Sequence, residues 1–229
     1  MDIKLHYREA GEGYPLILLH GNGEDGSHFI NQIEYFSQEY RVIAVDTRGH
    51  GDTPRGTAPF TFEQFAADLD SFMNRQGIFK ANILGFSDGG IIALLFAMAH
   101  PERVNKLVLN GANLDPSGVA EPMRSRIKEK ADEAAPHKDE SDEAMGRYER
   151  LHLMATEPNI DPADLAKLAD IPTLVIVGTN DLISADHTQL IYRSLPKAEL
   201  VFIPGDHFVA YKNPGEFNKA VDTFLHEFM

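Results

Sequence analysis

The sequence predicts an α/β fold in which helices flank a mostly parallel sheet. Short apolar runs recur along the 229 residues, and most lack polar alternation, which indicates strands that are covered on both faces. Helix-length segments separate several of these runs, and strands that alternate with helices form parallel sheets through right-handed crossovers. The hydrophobic content of 43% is enough for the core of one large domain.

Six apolar runs predict the main strands of this sheet. They are residues 16–19, 42–45, 82–86, 107–109, 173–177 and 200–203. Residues 4–8 are expected to add an edge strand at the start of the chain. The intervening segments 62–72 and 89–100 have the length and apolar content of helices that pack on a sheet.

One stretch, from about residue 115 to residue 169, breaks this alternation. It contains no apolar strand, and its composition turns to Glu, Lys, Asp and Met. Segments 123–134 and 142–154 show the spacing of amphipathic helices. The sequence therefore predicts a single domain over residues 1–229, with a helical cap at residues 115–169 inserted before the penultimate strand. We call residues 115–169 the cap segment.

Charge and cysteine content limit the possible partners. The formal net charge of −14 argues against nucleic acid and anionic lipid, since both require a basic surface. The chain has no cysteine, so disulfides and thiolate sites are excluded. Its first residues are polar, and its longest apolar stretch is too short to span a bilayer. We expect a cytoplasmic monomer or homodimer that binds a small molecule, with no nucleic-acid or membrane partner.

Ser87, in the run G-F-S-D-G-G, is the candidate nucleophile. A G-x-S-x-G match alone is weak, but this one directly follows a predicted apolar strand and precedes an almost wholly apolar helix. A nucleophile elbow needs this arrangement, because glycines permit the strained turn and the helix N-terminus faces the reacting oxygen. The alternative is a serine in an ordinary glycine-rich turn.

His207 is the candidate general base, since a serine hydroxyl needs a base to remove its proton. It follows the last predicted strand, at the sheet edge where ligands of parallel sheets bind. His20 and His50 also follow strands, but glycine flanks each of them. A carboxylate must orient the imidazole, and Asp181 directly after the strand T-L-V-I-V is the candidate. Asp115 is the alternative acid.

Two backbone N–H groups are needed to stabilise the oxyanion of a tetrahedral intermediate. One is expected from Asp88, the residue after the nucleophile. The other is expected from Asn22, in the loop H-G-N-G that follows the strand P-L-I-L-L. Small glycines beside Asn22 would let the backbone approach a substrate closely.

The same loop also matches a competing motif. Residues 21–26 read G-N-G-E-D-G, the pattern of a dinucleotide-binding turn, and Asp46 lies about 20 residues later, where a ribose-binding acid would sit. This would make the protein a nicotinamide-dependent oxidoreductase. Glu24 and Asp25 argue against it, because they would place two carboxylates beside a pyrophosphate.

The chain resembles the α/β-hydrolase family across nearly its whole length. The motifs H-G-N-G, D-T-R-G-H-G, G-F-S-D-G-G, G-T-N-D and G-D-H occur in the family's order. The resemblance implies Ser87, Asp181 and His207 as the catalytic triad, with no metal and no organic cofactor. Epoxide hydrolases and haloalkane dehalogenases of this fold carry Asp at the nucleophile position, so Ser87 argues against both activities.

Within the family, G-F-S-D-G-G-I-I-A-L and L-N-G-A-N are similar to the valacyclovir hydrolase (biphenyl hydrolase-like) branch. In that branch the Asp after the nucleophile is thought to hold a substrate ammonium group. This role would fall to Asp88 and would favour amino-acid esters. The alternative is that Asp88 only shapes the turn.

These observations predict a serine esterase that cleaves small carboxylic esters through an acyl-enzyme. Four cap side chains at helical spacing would line the acyl pocket or, alternatively, form ordinary core: Met123, Ile127, Leu151 and Met154. The same triad could instead cleave C–C bonds, lactones or thioesters. Beside the nicotinamide enzyme, a ligand receptor without turnover is a further alternative from another class.

Overall fold

The computed structural model describes residues 2–227, in which seven strands form one sheet with helices on both faces. The strands are β1 (Tyr7–Ala10), β2 (Tyr14–Leu19), β3 (Tyr40–Val45), β4 (Ala81–Phe86), β5 (Val104–Asn110), β6 (Thr173–Asn180) and β7 (Ala198–Asp206). The α-helices are α1 (Ile30–Phe36), α2 (Phe62–Arg75), α3 (Asp88–Ala99), α4 (Met123–Ala134), α5 (Asp142–Thr156), α6 (Ala185–Ser194), α7 (Val209–Lys212) and α8 (Pro214–His226). The predicted α/β fold is confirmed.

The sheet has the order β1-β3-β2-β4-β5-β6-β7. Strands β2 to β7 pair in parallel, whereas β1 is antiparallel to β3. Neighbouring residues of β2 enter opposite cores: Ile17 and Leu19 pack with α2 and α3, and Leu16 and Leu18 pack with α1 and α8. Burial on both faces explains why the strands lack polar alternation.

The edge strand begins later than predicted. The sequence placed it at residues 4–8, but β1 runs from Tyr7 to Ala10. The segment before β1 bonds to Asp46, which directly follows β3, and to the turn beyond it. The His6 N–H donates to Thr53 Oγ1 (2.8 Å), and the His6 carbonyl accepts from the Asp46 N–H (3.0 Å). His6 is thus bonded to the turn after β3, and the regular pairing of β1 begins one residue later, at Tyr7.

The polar stretch between β5 and β6 is helical. It contains α4 and α5, which pack against each other, and short 3₁₀ turns on either side of them. Helices were predicted at residues 123–134 and 142–154, and both are confirmed, with α5 two residues longer at its end. Among residues 2–227, no helix is both long and apolar enough to cross a membrane.

The carboxyl ends of the parallel strands bring the candidate residues to one edge of the sheet. The turn that contains Asn22 follows β2, and Ser87 follows β4. Asp181 and His207 directly follow β6 and β7. Residues that are far apart in the chain are therefore neighbours at this edge, as expected for a parallel sheet.

Candidate active site

Ser87 lies between the end of β4 and the start of α3, in a strained backbone conformation. Its φ and ψ angles are 52° and −118°, and it is the only non-glycine residue with positive φ among residues 2–227. The Ser87 N–H donates to the Asn110 carbonyl (2.8 Å), and the Ser87 carbonyl accepts from the Gly90 N–H (2.8 Å). Such strain persists only where the surroundings enforce it, and it is concentrated at functional sites.

Two glycines make this turn possible. A Cβ atom at Gly85 would lie 2.2 Å from the Gly89 carbonyl oxygen, and one at Gly89 would lie 2.0 Å from the Leu19 carbonyl oxygen. Both neighbours are backbone atoms, so they cannot rotate out of the way. The two glycines of G-x-S-x-G are therefore required by the close contact of β2, β4 and α3.

His207 and Asp181 form a buried pair at the ends of β7 and β6. His207 Nδ1 lies 2.7 Å from Asp181 Oδ1, and the side chains are 6% and 3% exposed. Asp181 Oδ1 also accepts from the Ile183 N–H (2.9 Å). Because Nδ1 faces a carboxylate, it carries the imidazole proton, which leaves Nε2 free to accept one.

Gly111, directly after β5, packs against this imidazole. A Cβ atom there would lie 2.7 Å from His207 Cε1, and Gly111 has a φ of 63°. The sequence analysis assigned it no role, because only the spatial neighbourhood of His207 shows that a side chain would displace the ring. Asp115, the alternative acid, caps a 3₁₀ turn and accepts from the Ser117 N–H (2.7 Å). The acid that bonds to His207 is Asp181.

The other two strand-end histidines support the backbone. His20 Nδ1 donates to the Gly21 carbonyl (2.7 Å), while its Nε2 accepts from the Thr47 N–H (3.0 Å). Burial lowers the pKa of His20. Burial also lowers the pKa of His50 to about 4, so this ring is neutral at pH 7. Two neutral rings thus hold the loops after β2 and β3 together.

Asn22 and Asp88, whose N–H groups are the candidate oxyanion donors, are joined by their side chains. Asn22 Nδ2 donates to Asp88 Oδ2 (2.8 Å) and to the Arg150 carbonyl on α5 (3.2 Å). Asp88 is the first residue of α3, where an N–H has no partner within the helix. Burial raises the pKa of Asp88 to about 6, against the hydrogen bond from Asn22, which lowers it.

The dinucleotide interpretation of residues 21–26 has no support in the geometry. Glu24 Oε2 accepts the Gly21 N–H (3.1 Å), a donor that a pyrophosphate would need. The Asp46 side chain is 1% exposed, and its oxygens accept from the Gly26 N–H (2.8 Å) and the Asp52 N–H (3.0 Å). Asp46 is therefore committed to its own turn and is inaccessible to a ribose.

One cluster has the composition of a metal site. Ligand atoms of His6, Asp46 and Asp52 lie within 4.8 Å of one another. Asp46 already accepts backbone N–H groups and bonds to His6 Nδ1 (2.8 Å). None of the three lines the cavity that contains Ser87 and His207. The cluster is explained as a stabilised turn.

Ser87 and His207 line one cavity of 560 Å³ between the sheet edge and the cap segment. Asn22 and Asp88 also line it. The four cap side chains that the sequence analysis placed in an acyl pocket all lie in its wall: Met123, Ile127, Leu151 and Met154. The cavity therefore combines a strained serine and an oriented histidine with a largely apolar lining.

Known proteins share this fold along the chain. A family model of the alpha/beta hydrolase fold matches residues 14–133. Serine hydrolase BPHL from Mus musculus is 29% identical in an alignment of 251 positions, which covers 97% of this chain and 83% of that protein. A thermophilic esterase from Thermogutta terrifontis has a TM-score of 0.82 at 26% identity, covering 98% of this chain and 94% of that one. A meta-cleavage product hydrolase from Pseudomonas fluorescens has a TM-score of 0.78 at 26% identity, covering 98% and 95%.

The family model covers just over half of the chain. The match to BPHL confirms the resemblance to the biphenyl hydrolase-like branch. All three relatives are hydrolases, although their names indicate different substrates. The protein is thus a member of the α/β-hydrolase fold family, and its class of activity is hydrolysis.

Proposed function

We propose that the protein hydrolyses small carboxylic esters through an acyl-enzyme formed on Ser87. The observation that carries the proposal is the strained Ser87, which shares a cavity with a histidine whose ring is fixed by Asp181. A strained serine at a helix N-terminus and an imidazole with a free Nε2 are the parts that nucleophilic catalysis needs.

The chemistry proceeds in two half-reactions. Ser87 Oγ forms a bond to the ester carbonyl carbon while His207 Nε2 takes the hydroxyl proton, and the N–H groups of Asn22 and Asp88 stabilise the oxyanion. The ester C–O bond then breaks, and the alcohol leaves with the proton from His207. Water then attacks the acyl carbonyl carbon while His207 Nε2 takes one of its protons. The bond from the acyl group to Ser87 Oγ breaks, His207 returns the proton to Ser87 Oγ, and the acid leaves. Asp181 stabilises the imidazolium in both halves.

Asp88 is given no ammonium-binding role in the proposed reaction. The Asp88 carboxylate already accepts the Asn22 amide, and its pKa of about 6 leaves it mostly ionised at pH 7. The bond to Asn22 favours the alternative in which Asp88 only shapes the turn.

Cleavage of C–C bonds is the second candidate, because the meta-cleavage product hydrolase has this fold over 98% of the chain. Lactones and thioesters would use the same acyl-enzyme chemistry as esters. A panel of esters, lactones, thioesters and vinylogous diketones separates these substrates by kcat/KM. Absence of turnover, combined with a ligand-dependent rise in Tm, would favour the receptor alternative.

A fluorophosphonate probe tests the nucleophile directly. We expect covalent labelling of the wild-type protein, none of Ser87→Ala, and full labelling of Ser125→Ala, which removes an exposed hydroxyl on α4. Hydrolysis of short-chain esters should depend on Ser87 in the same way. Equal labelling of wild type and Ser87→Ala would overturn the proposal.

The assignment of the acid is tested by a matched pair of variants. Asp181→Asn should lower kcat/KM about 10³-fold, because it destabilises the imidazolium and favours the wrong tautomer. Asp115→Asn should stay within about threefold of wild type, since Asp115 only caps a 3₁₀ turn. The reverse order of the two effects would reassign the acid.

A further inference from the structure

Four charged side chains line the cavity that contains Ser87. Glu24 and Asp88 belong to the sheet-edge side, whereas Arg126 and Lys130 stand on α4 of the cap segment. The protein as a whole carries a net charge of −14. The local balance of charge in the cavity therefore differs from that of the surface.

Both acids are already bonded to neighbouring groups of the protein. Glu24 accepts from the Gly21 N–H (3.1 Å), and its other oxygen lies 3.0 Å from His28 Nδ1. Asp88 accepts from Asn22 (2.8 Å) and is buried. Both carboxyl groups therefore already have partners within the protein.

The two cations are unpaired. Within residues 2–227, neither Arg126 nor Lys130 forms an ion pair, whereas Arg124 on the same helix lies 2.9 Å from Glu121. Their spacing of four residues places them on one face of α4. Met123 and Ile127 complete that face, so a single stripe of the helix presents two apolar and two cationic side chains to the cavity.

We propose that Arg126 and Lys130 form a carboxylate subsite, so that the preferred substrates are monoesters of dicarboxylic acids with the free carboxylate on the acyl part. The guanidinium fork matches a carboxylate, and the ammonium adds a second positive charge. The apolar residues of the stripe would contact the methylene chain between the carboxylate and the scissile carbonyl. This inference rests on the proposed function, because it names the substrate class of the same Ser87 site.

Three ethyl esters of equal acyl length test the subsite: monoethyl adipate (anionic), ethyl hexanoate (neutral) and ethyl 6-aminohexanoate (cationic). We expect kcat/KM to fall in that order. In the double variant Arg126→Gln/Lys130→Gln, the anionic-to-neutral ratio of kcat/KM should drop about tenfold. Lys128→Gln, which removes a cation from α4 outside the cavity lining, should leave the ratio unchanged. Added salt should lower the wild-type ratio.

The outcomes separate the two proposals. If Ser87-dependent hydrolysis occurs but the ratio is the same in wild type and double variant, the subsite is overturned and the esterase stands. A preference for the cationic ester overturns the subsite as well. If no ester is hydrolysed, the proposed function fails, and calorimetric binding of adipate decides the subsite alone. Weaker binding by the double variant supports it, and equal or absent binding overturns it.

Discussion

The turn at residues 85–89, here called the elbow, and the cap segment meet at one cavity but are built differently. Every residue of β4 is buried, and the backbone contacts at Gly85 and Gly89 leave no space for a side chain. In the cap, α4 buries only Ala131 and Ala134 of its described residues. The elbow is thus fixed by buried strands and backbone contacts, whereas α4 buries few residues and faces the cavity.

Both apolar packing and polar contacts attach the cap to the body of the protein, since Leu153 of α5 lies in the core with α2 and α3. Arg55 forms an ion pair with Glu149 on α5, with Nη2 2.5 Å from Oε1. Asn22 bonds to the Arg150 carbonyl, and Glu157 accepts from the Phe62 N–H (3.1 Å). Under the proposed function, the chemistry would use the rigid strand ends, whereas the lightly buried α4 would contact the acyl part of the substrate.

The largest expected effect on stability is that of Gly89→Ala, which would disrupt the elbow. The added methyl group would lie 2.0 Å from the Leu19 carbonyl oxygen, inside a sheet that cannot shift. We expect the free energy of unfolding to fall by about 3 kcal/mol or more, measured by urea unfolding with circular dichroism.

Gly215→Ala on α8 is the matched control, because no atom lies within 4 Å of the added Cβ. Its free energy of unfolding should stay within about 1 kcal/mol of wild type. If both variants unfold at the wild-type urea concentration, the elbow is not fixed by packing, and the contrast with the cap is lost.

The difference between elbow and cap also explains what the sequence could predict. Ser87, Asp181 and His207 follow apolar strands, so their placement at one sheet edge is a consequence of parallel topology. Short-range patterns also predicted α4 and α5. In contrast, the bond from Asn22 to Asp88 joins residues 66 positions apart and could not be inferred from either motif. The close packing of Gly111 on His207 was equally hidden, because the two residues follow β5 and β7, which are separated by β6 in the sheet.

A smaller effect on stability is expected from Asp88→Asn. Asn22 bonds both to Asp88 and to the Arg150 carbonyl of the cap segment, so it links the elbow to the cap. Burial raises the pKa of Asp88 from 3.8 to about 6, so the folded protein binds this proton more tightly than the unfolded chain. Stability from this group is therefore present below pH 3.8 and is lost as the pH rises to about 6.

Asn at position 88 keeps an acceptor for Asn22 and removes the titration. Between pH 4 and pH 7, the free energy of unfolding of Asp88→Asn should rise relative to wild type by on the order of 2 kcal/mol. Urea unfolding at several pH values measures this difference. A difference that is constant with pH would show that burial does not raise the pKa of Asp88.

The smallest expected effect is on the attachment of the cap segment to the body of the protein. Arg55→Gln removes the ion pair with Glu149, the bond to the Ala58 carbonyl and the contact with the Phe60 ring. Because the Arg55 side chain is partly exposed, the global free energy of unfolding should change by about 1 kcal/mol or less. Amide hydrogens of α5 should nevertheless exchange several-fold faster, because local opening needs less free energy than global unfolding. Arg41→Gln, which removes an ion pair with Glu9 inside the sheet, should leave exchange in α5 unchanged. Equal exchange in both variants would mean that the cap is held as firmly as the elbow.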